Sequence, residues 1–110
     1  MRIRKKINEQ NDMASDELDF IASVYDALAH PVRLELFRYI MQKNKTMDKV
    51  CTKDLVGAFD YAQATISQHM KKLVQSGLVE IKKQDKFSYF YVNLGILMQY
   101  IDDVKRYSVV

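Results

Sequence analysis

Residues 62–79 read Ala-Gln-Ala-Thr-Ile-Ser-Gln-His-Met-Lys-Lys-Leu-Val-Gln-Ser-Gly-Leu-Val, and the rest of the chain is interpretable from this stretch outward. Ile66, Met70, Leu73 and Val74 recur at i, i+4, i+7 and i+8, which puts them on one stripe of an α-helix facing a core. Gly77 ends the helix, because glycine adopts the left-handed conformation of a C-terminal cap without a steric penalty, and Leu78 after it can fold back over the last turn. Turning about 100° per residue from the apolar stripe places Gln68 almost diametrically opposite it. Ala64, Thr65, Lys71, Lys72 and Gln75 spread to either side, with Ser67 and His69 on the two borders between core and solvent, and Gln63 at the start of the helix is counted with them as a DNA contact. That face has no acidic residue. Amides and hydroxyls for base edges, a small residue for close approach and lysines for phosphates are what a helix in a DNA major groove requires. An ordinary solvated face is the alternative.

The preceding residues, Cys51 to Phe59, read as a short helix with Thr52 as N-cap and Asp54 in the first turn, where a carboxylate suits the helix dipole. Cys51, Leu55 and Phe59 share its inner stripe. Only Asp60, Tyr61 and Ala62 separate the two helices, so the pair forms a helix-turn-helix whose second helix reads DNA. After Gly77 the period changes: Leu78 to Lys83 and Phe87 to Val92 are short runs rich in β-branched and aromatic residues, and a three-residue loop, Gln84-Asp85-Lys86, would close them into a hairpin. On this wing Val79 and Ile81 would pack with Phe90 and Val92, leaving Phe87, Tyr89 and Tyr91 on the other face. Lys82, Lys83 and Lys86 would gather at the tip, facing phosphates or the minor groove; lysines there also blunt a sheet edge against aggregation.

The run from Cys51 to Met70 resembles the helix-turn-helix of the ArsR/SmtB family of dimeric winged-helix repressors. Ile66-Ser67-Gln68-His69-Met70 is similar to that family's recognition core, and Leu28-Ala29-His30-Pro31-Val32-Arg33-Leu34-Glu35-Leu36-Phe37 to its approach into the second helix. Gly77-Leu78-Val79 and the aromatic wing complete a resemblance over roughly residues 20–100. It implies a mainly α fold of about five helices with a small β-hairpin wing, a homodimer formed by the first and last helices, and a palindromic double-stranded DNA operator. There are departures. Metal-sensing members that use the first helix of the motif place cysteines at the positions of Cys51 and Lys53, sometimes also at Val56, and only Cys51 is present. Members that use the last helix carry paired Asp, His and Glu ligands, against Asp102-Asp103 alone here. Neither familiar metal site can be built by one protomer, so no metal and no cofactor is expected. Ala62 stands where a hydroxyl cap is usual, and Asp85 where a wing-tip glycine is usual.

A chain of 110 residues is one domain with a real core. One cysteine excludes an internal disulfide framework and fits a reducing compartment. No apolar run approaches a membrane span, and the basic N-terminus lacks the apolar stretch of a signal peptide, so a cytoplasmic protein is expected, with no membrane partner. The net charge of +3 is uneven: residues 1–6 carry +4, residues 7–62 carry −4 and residues 63–87 carry +3. Residues 1–14 read as a flexible basic arm, available to phosphates or simply solvated, and residues 15–107 as the DNA-binding and dimerisation domain.

The first helix is expected from about Asp16 to Ala29, capped by Ser15, with Leu18, Ile21, Tyr25 and Leu28 inward. His30-Pro31 breaks it, since proline suits the first turn of the next helix and pushes the residue before it out of helical geometry. His30 therefore reads as a junction, not a ligand. Leu34, Phe37, Ile40 and Met41 would form the core face of helix two, followed by a polar connection and a short strand at Met47 to Val50. A last helix over Leu94 to Tyr107 carries Leu94, Leu97, Met98, Ile101 and Val104, widened by Ile96 and Tyr100. That apolar excess, together with Leu18, Ile21 and Tyr25, marks the dimer interface. Cys51 reads either as a packed residue stapled against Val56 or as a thiol that responds to an effector. A winged-helix module that binds a protein instead of DNA is the rival from another class. No phosphate loop or nucleophile constellation points to an enzyme.

Overall fold

The computed structural model describes residues 14–108, in the order α1 (Ser15–Leu28), α2 (Pro31–Lys45), α3 (Thr52–Ala58), α4 (Gln63–Gln75), β1 (Val79–Gln84), β2 (Phe87–Val92) and α5 (Leu94–Ser108). Among the described residues this is the expected mainly α architecture with one hairpin. The basic arm falls outside them except for Ala14.

The cap of α1 is Ala14, in extended backbone and without a side-chain hydrogen bond. Ser15 is already helical, so the expected cap is corrected by one residue. Asp16 and Glu17 supply the favourable charge of the first turn instead. The inner face is Ile21, Val24 and Ala27, rotated from the expected stripe, and Leu18 and Tyr25 are left 42% and 44% exposed. Ile21, expected at a dimer interface, is buried within its own protomer and has no surface left for a second copy.

His30 and Pro31 form the anticipated junction: the His30 Nδ1 accepts from the Val32 amide at 3.1 Å and Pro31 sits where no helical donor is needed. The buried face of α2 is Leu36, Phe37 and Ile40, while Leu34, expected inside, is 50% exposed. The helix ends with Met47 in the left-handed region, φ 62°. The Met47 amide bonds the Asn44 carbonyl and the Asp48 amide the Lys43 carbonyl, both at 3.0 Å, the paired pattern of a Schellman cap. With Met47 committed to that cap, the expected strand at 47–50 shrinks to one bridge, Val50 with Phe90, made by the Phe90 amide on the Val50 carbonyl at 2.8 Å.

The cap of α3 is Cys51, not Thr52. The Asp54 carboxylate accepts from the Cys51 amide at 2.8 Å and from its thiol at 3.2 Å. The residues flanking that cap, Val50 and Leu55, are both fully buried in the core, so they occupy the staple positions and Val56 points outward. Gly77, at φ 86°, closes α4 as its sequence indicated, and Leu78 is fully buried behind it.

The hairpin pairs Val79 with Val92, Ile81 with Phe90, Lys82 with Tyr89 and Gln84 with Phe87. The loop is therefore the two residues Asp85 and Lys86, one fewer than expected, and Asp85 takes φ 56°. An aspartate tolerates that left-handed conformation better than most side chains. Val79 and Phe90 are buried and Val92 half-buried, whereas Ile81 on the same face stays 48% exposed. Asn93, which the sequence reading passed over, caps α5 by accepting from the Ile96 amide at 3.1 Å and fixes the wing's base by donating its own amide to the Leu78 carbonyl at 2.8 Å. α5 packs on α1 through an edge-to-face Tyr25–Tyr100 pair and an Arg106–Glu17 ion pair of 2.8 Å. No helix among the described residues is long and apolar enough to cross a membrane.

Candidate nucleic-acid interface

The turn of residues 59–62 sets α4 against α3, and burying Ile66, Met70 and Leu73 fixes its rotation. Gln63, Ala64, Ser67, Gln68, Lys71, Lys72 and Gln75 are exposed, and Thr65 is half-buried. The lysines are the charged residues of α4, which carries no carboxylate. Its outward face is thus a row of donors and acceptors edged by two cations.

His69 behaves differently from its expected place among the DNA-contacting residues. It is half-buried and turned toward the α1–α2 junction, where its ring centroid lies 4.5 Å from that of His30. The Arg33 guanidinium meets its Nδ1 at 3.3 Å. A guanidinium only donates, so Nδ1 is the acceptor and the proton of the neutral ring sits on Nε2. Burial, then the charges of His30 and Arg33, hold the imidazole below its ordinary value of 6.5. Arg33 also donates through Nε to the Ala27 carbonyl at 2.6 Å and through an Nη to the Asp26 carbonyl at 3.1 Å. Both carbonyls belong to the last turn of α1, where that of Asp26 also accepts from the Ala29 amide at 3.3 Å. One side chain therefore ties the end of α1, the start of α2 and the middle of α4 together. Sequence reasoning missed this role, because 36 residues separate Arg33 from His69 and no local pattern joins them.

The wing divides its lysines. Lys82 and Lys83 are consecutive on β1 and so lie on opposite faces. Lys82 folds back over the Tyr91 ring, with Nζ 5.1 Å from the centroid, and does not join Lys86 at the tip. Lys49, from the α2–α3 connection, covers Tyr89 at 5.3 Å and donates to Gln84. Phe87, Tyr89 and Tyr91 form the anticipated outer aromatic face, and Lys83 and Lys86 stay exposed.

A two-helix motif with an exposed second helix, followed by a hairpin and flanked by α1 and α5, defines a winged helix-turn-helix protein. Residues 28–82 match a family described as "Helix-turn-helix domain". The chain is 32% identical over 69 residues to the arsenical resistance operon repressor of Bacillus subtilis (strain 168), covering 63% of this chain and 62% of that protein. It is 27% identical over 84 residues to the protein of the same name from Staphylococcus aureus, covering 76% of each. Its fold is shared with an ArsR-like transcriptional regulator from Rhodococcus sp. RHA1, at a TM-score of 0.74, 20% identity and coverage of 83% and 81%. A homodimeric winged helix-turn-helix DNA-binding domain from Mycobacterium bovis matches at 0.68, with 20% identity and 94% of each chain covered. The chain belongs to the helix-turn-helix family it matches, as an ArsR-family transcriptional regulator.

Proposed function

We propose that the protein is a homodimeric repressor of the cytoplasm that binds a palindromic double-stranded DNA operator, placing α4 of each protomer in a major groove. The observation that carries this reading is the outward face of α4, which has no carboxylate and is tied from behind by the Arg33–His69 contact. Gln63, Ala64, Ser67 and Gln68, with Thr65 at the margin, would contact base edges, and Lys71 and Lys72 phosphates. Lys83 and Lys86 would reach the backbone beside the groove, with Lys82 behind them steadying the aromatic face.

Dimerisation is supported by the unequal covering of α1 and α5. Leu18 and Tyr25 on α1, and Leu94, Met98, Ile101 and Tyr107 on α5, are exposed on two helices that pack together. Leu97, which packs against the core, and Val104 are half-buried on the same helix. An apolar surface of this kind on a small chain is a docking face. A metal forms no part of this reading.

Fluorescence anisotropy with duplexes enriched from a randomised pool tests the proposal. DNA binding should weaken steeply with salt, as counterion release demands, and enriched sequences should show two-fold symmetry. A chain that enriches no duplex and binds with no salt dependence would be an interaction module for proteins instead.

A further inference from the structure

The wing has an apolar face that its own fold does not cover. Ile81 pairs with Phe90 and shares a face with Val79, yet Val79 and Phe90 are buried while Ile81 stands half open. The reason is a groove of about 330 Å³ between α4 and the hairpin, whose apolar side is Met70, Val74, Ile81 and Phe90. Its polar side comes from Ser67, Lys71 and Gln75 of α4 and from Thr52 at the start of α3. No carboxylate lines it, and among the described residues Lys71 has no ion-pair partner. Apolar walls with a few convergent polar groups are the usual make-up of a small-molecule site, and the volume falls at the metabolite end of the range.

We propose that this groove binds a small organic anion with a flat or branched apolar body, of the arylcarboxylate class. The body would cover Ile81 and lie against Met70 and Phe90, removing apolar surface from water. The carboxylate would meet the Lys71 ammonium and accept from the Ser67 or Thr52 hydroxyl. A cation would find no counter-charge there, and a fully apolar molecule would leave those polar groups unmatched.

Ser67 and Lys71 also belong to the outward face of α4, so ligand and DNA would compete for the same two side chains. By linkage, the factor by which the ligand weakens DNA binding equals the factor by which DNA weakens ligand binding. This coupling rests on the DNA-binding reading, whereas the pocket does not.

The test begins without DNA. The full chain, with labelled Ile and Met methyl groups, is titrated with benzoate, benzyl alcohol and benzylamine while the Ile81 and Met70 methyl resonances are followed. Benzoate should give saturable shifts at both, and the neutral and cationic analogues should bind about two- to fivefold more weakly, the difference expected from one exposed ion pair. Ile81→Trp, which fills the groove from an exposed position, should abolish the Met70 shifts while leaving the folded spectrum, and Lys71→Ala should bring benzoate down to the level of benzyl alcohol. Non-saturable shifts, equal binding of benzylamine, or undiminished binding to Ile81→Trp would overturn the site. In a second arm, benzoate should displace wild-type protein from its enriched duplex but not the Ile81→Trp variant. Saturable binding at Ile81 without displacement would overturn the coupling alone, and failure to bind DNA at all would overturn the DNA reading while leaving the pocket result standing.

Discussion

Replacing Arg33 by alanine should loosen α4 from the rest of the domain without touching the face it presents. The side chain makes three hydrogen bonds, to the Ala27 and Asp26 carbonyls and to His69 Nδ1. The Asp26 contact is open to water and the other two are half-buried. A hydrogen bond from a charged donor contributes about 1.5–3 kcal/mol where water cannot replace it, so the loss should total about 2–4 kcal/mol once the exposed contact is dropped and the two half-buried ones are reduced for partial access of water. That is a large share of the ~5–15 kcal/mol that holds a domain together. Urea unfolding followed by circular dichroism should show the midpoint falling by about 1–2 M at an unchanged slope. Arg33→Lys should restore little, because an ammonium cannot span the three acceptors that the planar guanidinium meets. A midpoint within experimental error of wild type for Arg33→Ala would refute the clasp.

Burial of His69, with the charges of His30 and Arg33 beside it, sets a pH dependence. His69 is held below its ordinary value of 6.5 in the folded state, so the unfolded chain binds the proton more readily. Its contribution to stability is complete above pH 6.5 and is lost as pH falls from there through the lower folded-state value. Lowering the pH should also weaken DNA binding, since a protonated His69 cannot accept from Arg33. The stability slope in that window should flatten in Arg33→Ala, where one of its causes is gone.

Three further outcomes follow from the surface. Lys71→Ala and Lys72→Ala should each weaken enriched and random duplexes alike and reduce the salt slope by about one, measured by anisotropy at several salt concentrations. Met98→Glu changes a side chain that is 55% exposed in the protomer, so the fold should survive while sedimentation shifts to monomer and DNA affinity drops through the loss of a linked second half-site; an unchanged dimer would move the interface off α5. Cys51→Ser keeps a cap that can donate to Asp54 and should unfold within about 1 kcal/mol of wild type, while Asp54→Ala, which leaves the Cys51 amide and thiol without their acceptor, should cost about 1 kcal/mol. If peroxide released the wild type from DNA but not Cys51→Ser, a thiol response would have to be added to the packing role.

The parts of the fold legible in the sequence were those written in local patterning. The stripe of α4, the left-handed stop at Gly77 and the break at His30-Pro31 each depend on residues within a turn or two of one another. Cap positions slipped by one residue, at Ala14 and Cys51, because alanine and cysteine are unusual there and the neighbouring Ser15 and Thr52 are the commoner choice. The apolar residues Leu18, Tyr25 and Leu34 fit a helical stripe as well as those that are buried; only the packing partner decides which side of a wide stripe faces inward. His69 shows the larger limit. Its place at the border of α4 was readable, but its service to Arg33 arises where three helices meet, and no periodicity carries that information.

Gln68 is the exposed α4 residue farthest from the buried stripe, and DNA reading by this helix turns on it. The measurement that tests it directly is the ratio of affinities for an enriched duplex and a scrambled one, taken at one salt concentration for wild type and for Gln68→Ala. A bidentate amide contact contributes about 1–3 kcal/mol of discrimination, so the ratio should fall by about 5- to 150-fold while the salt slope stays the same. A ratio unchanged by the substitution would contradict the claim that this face of α4 reads DNA.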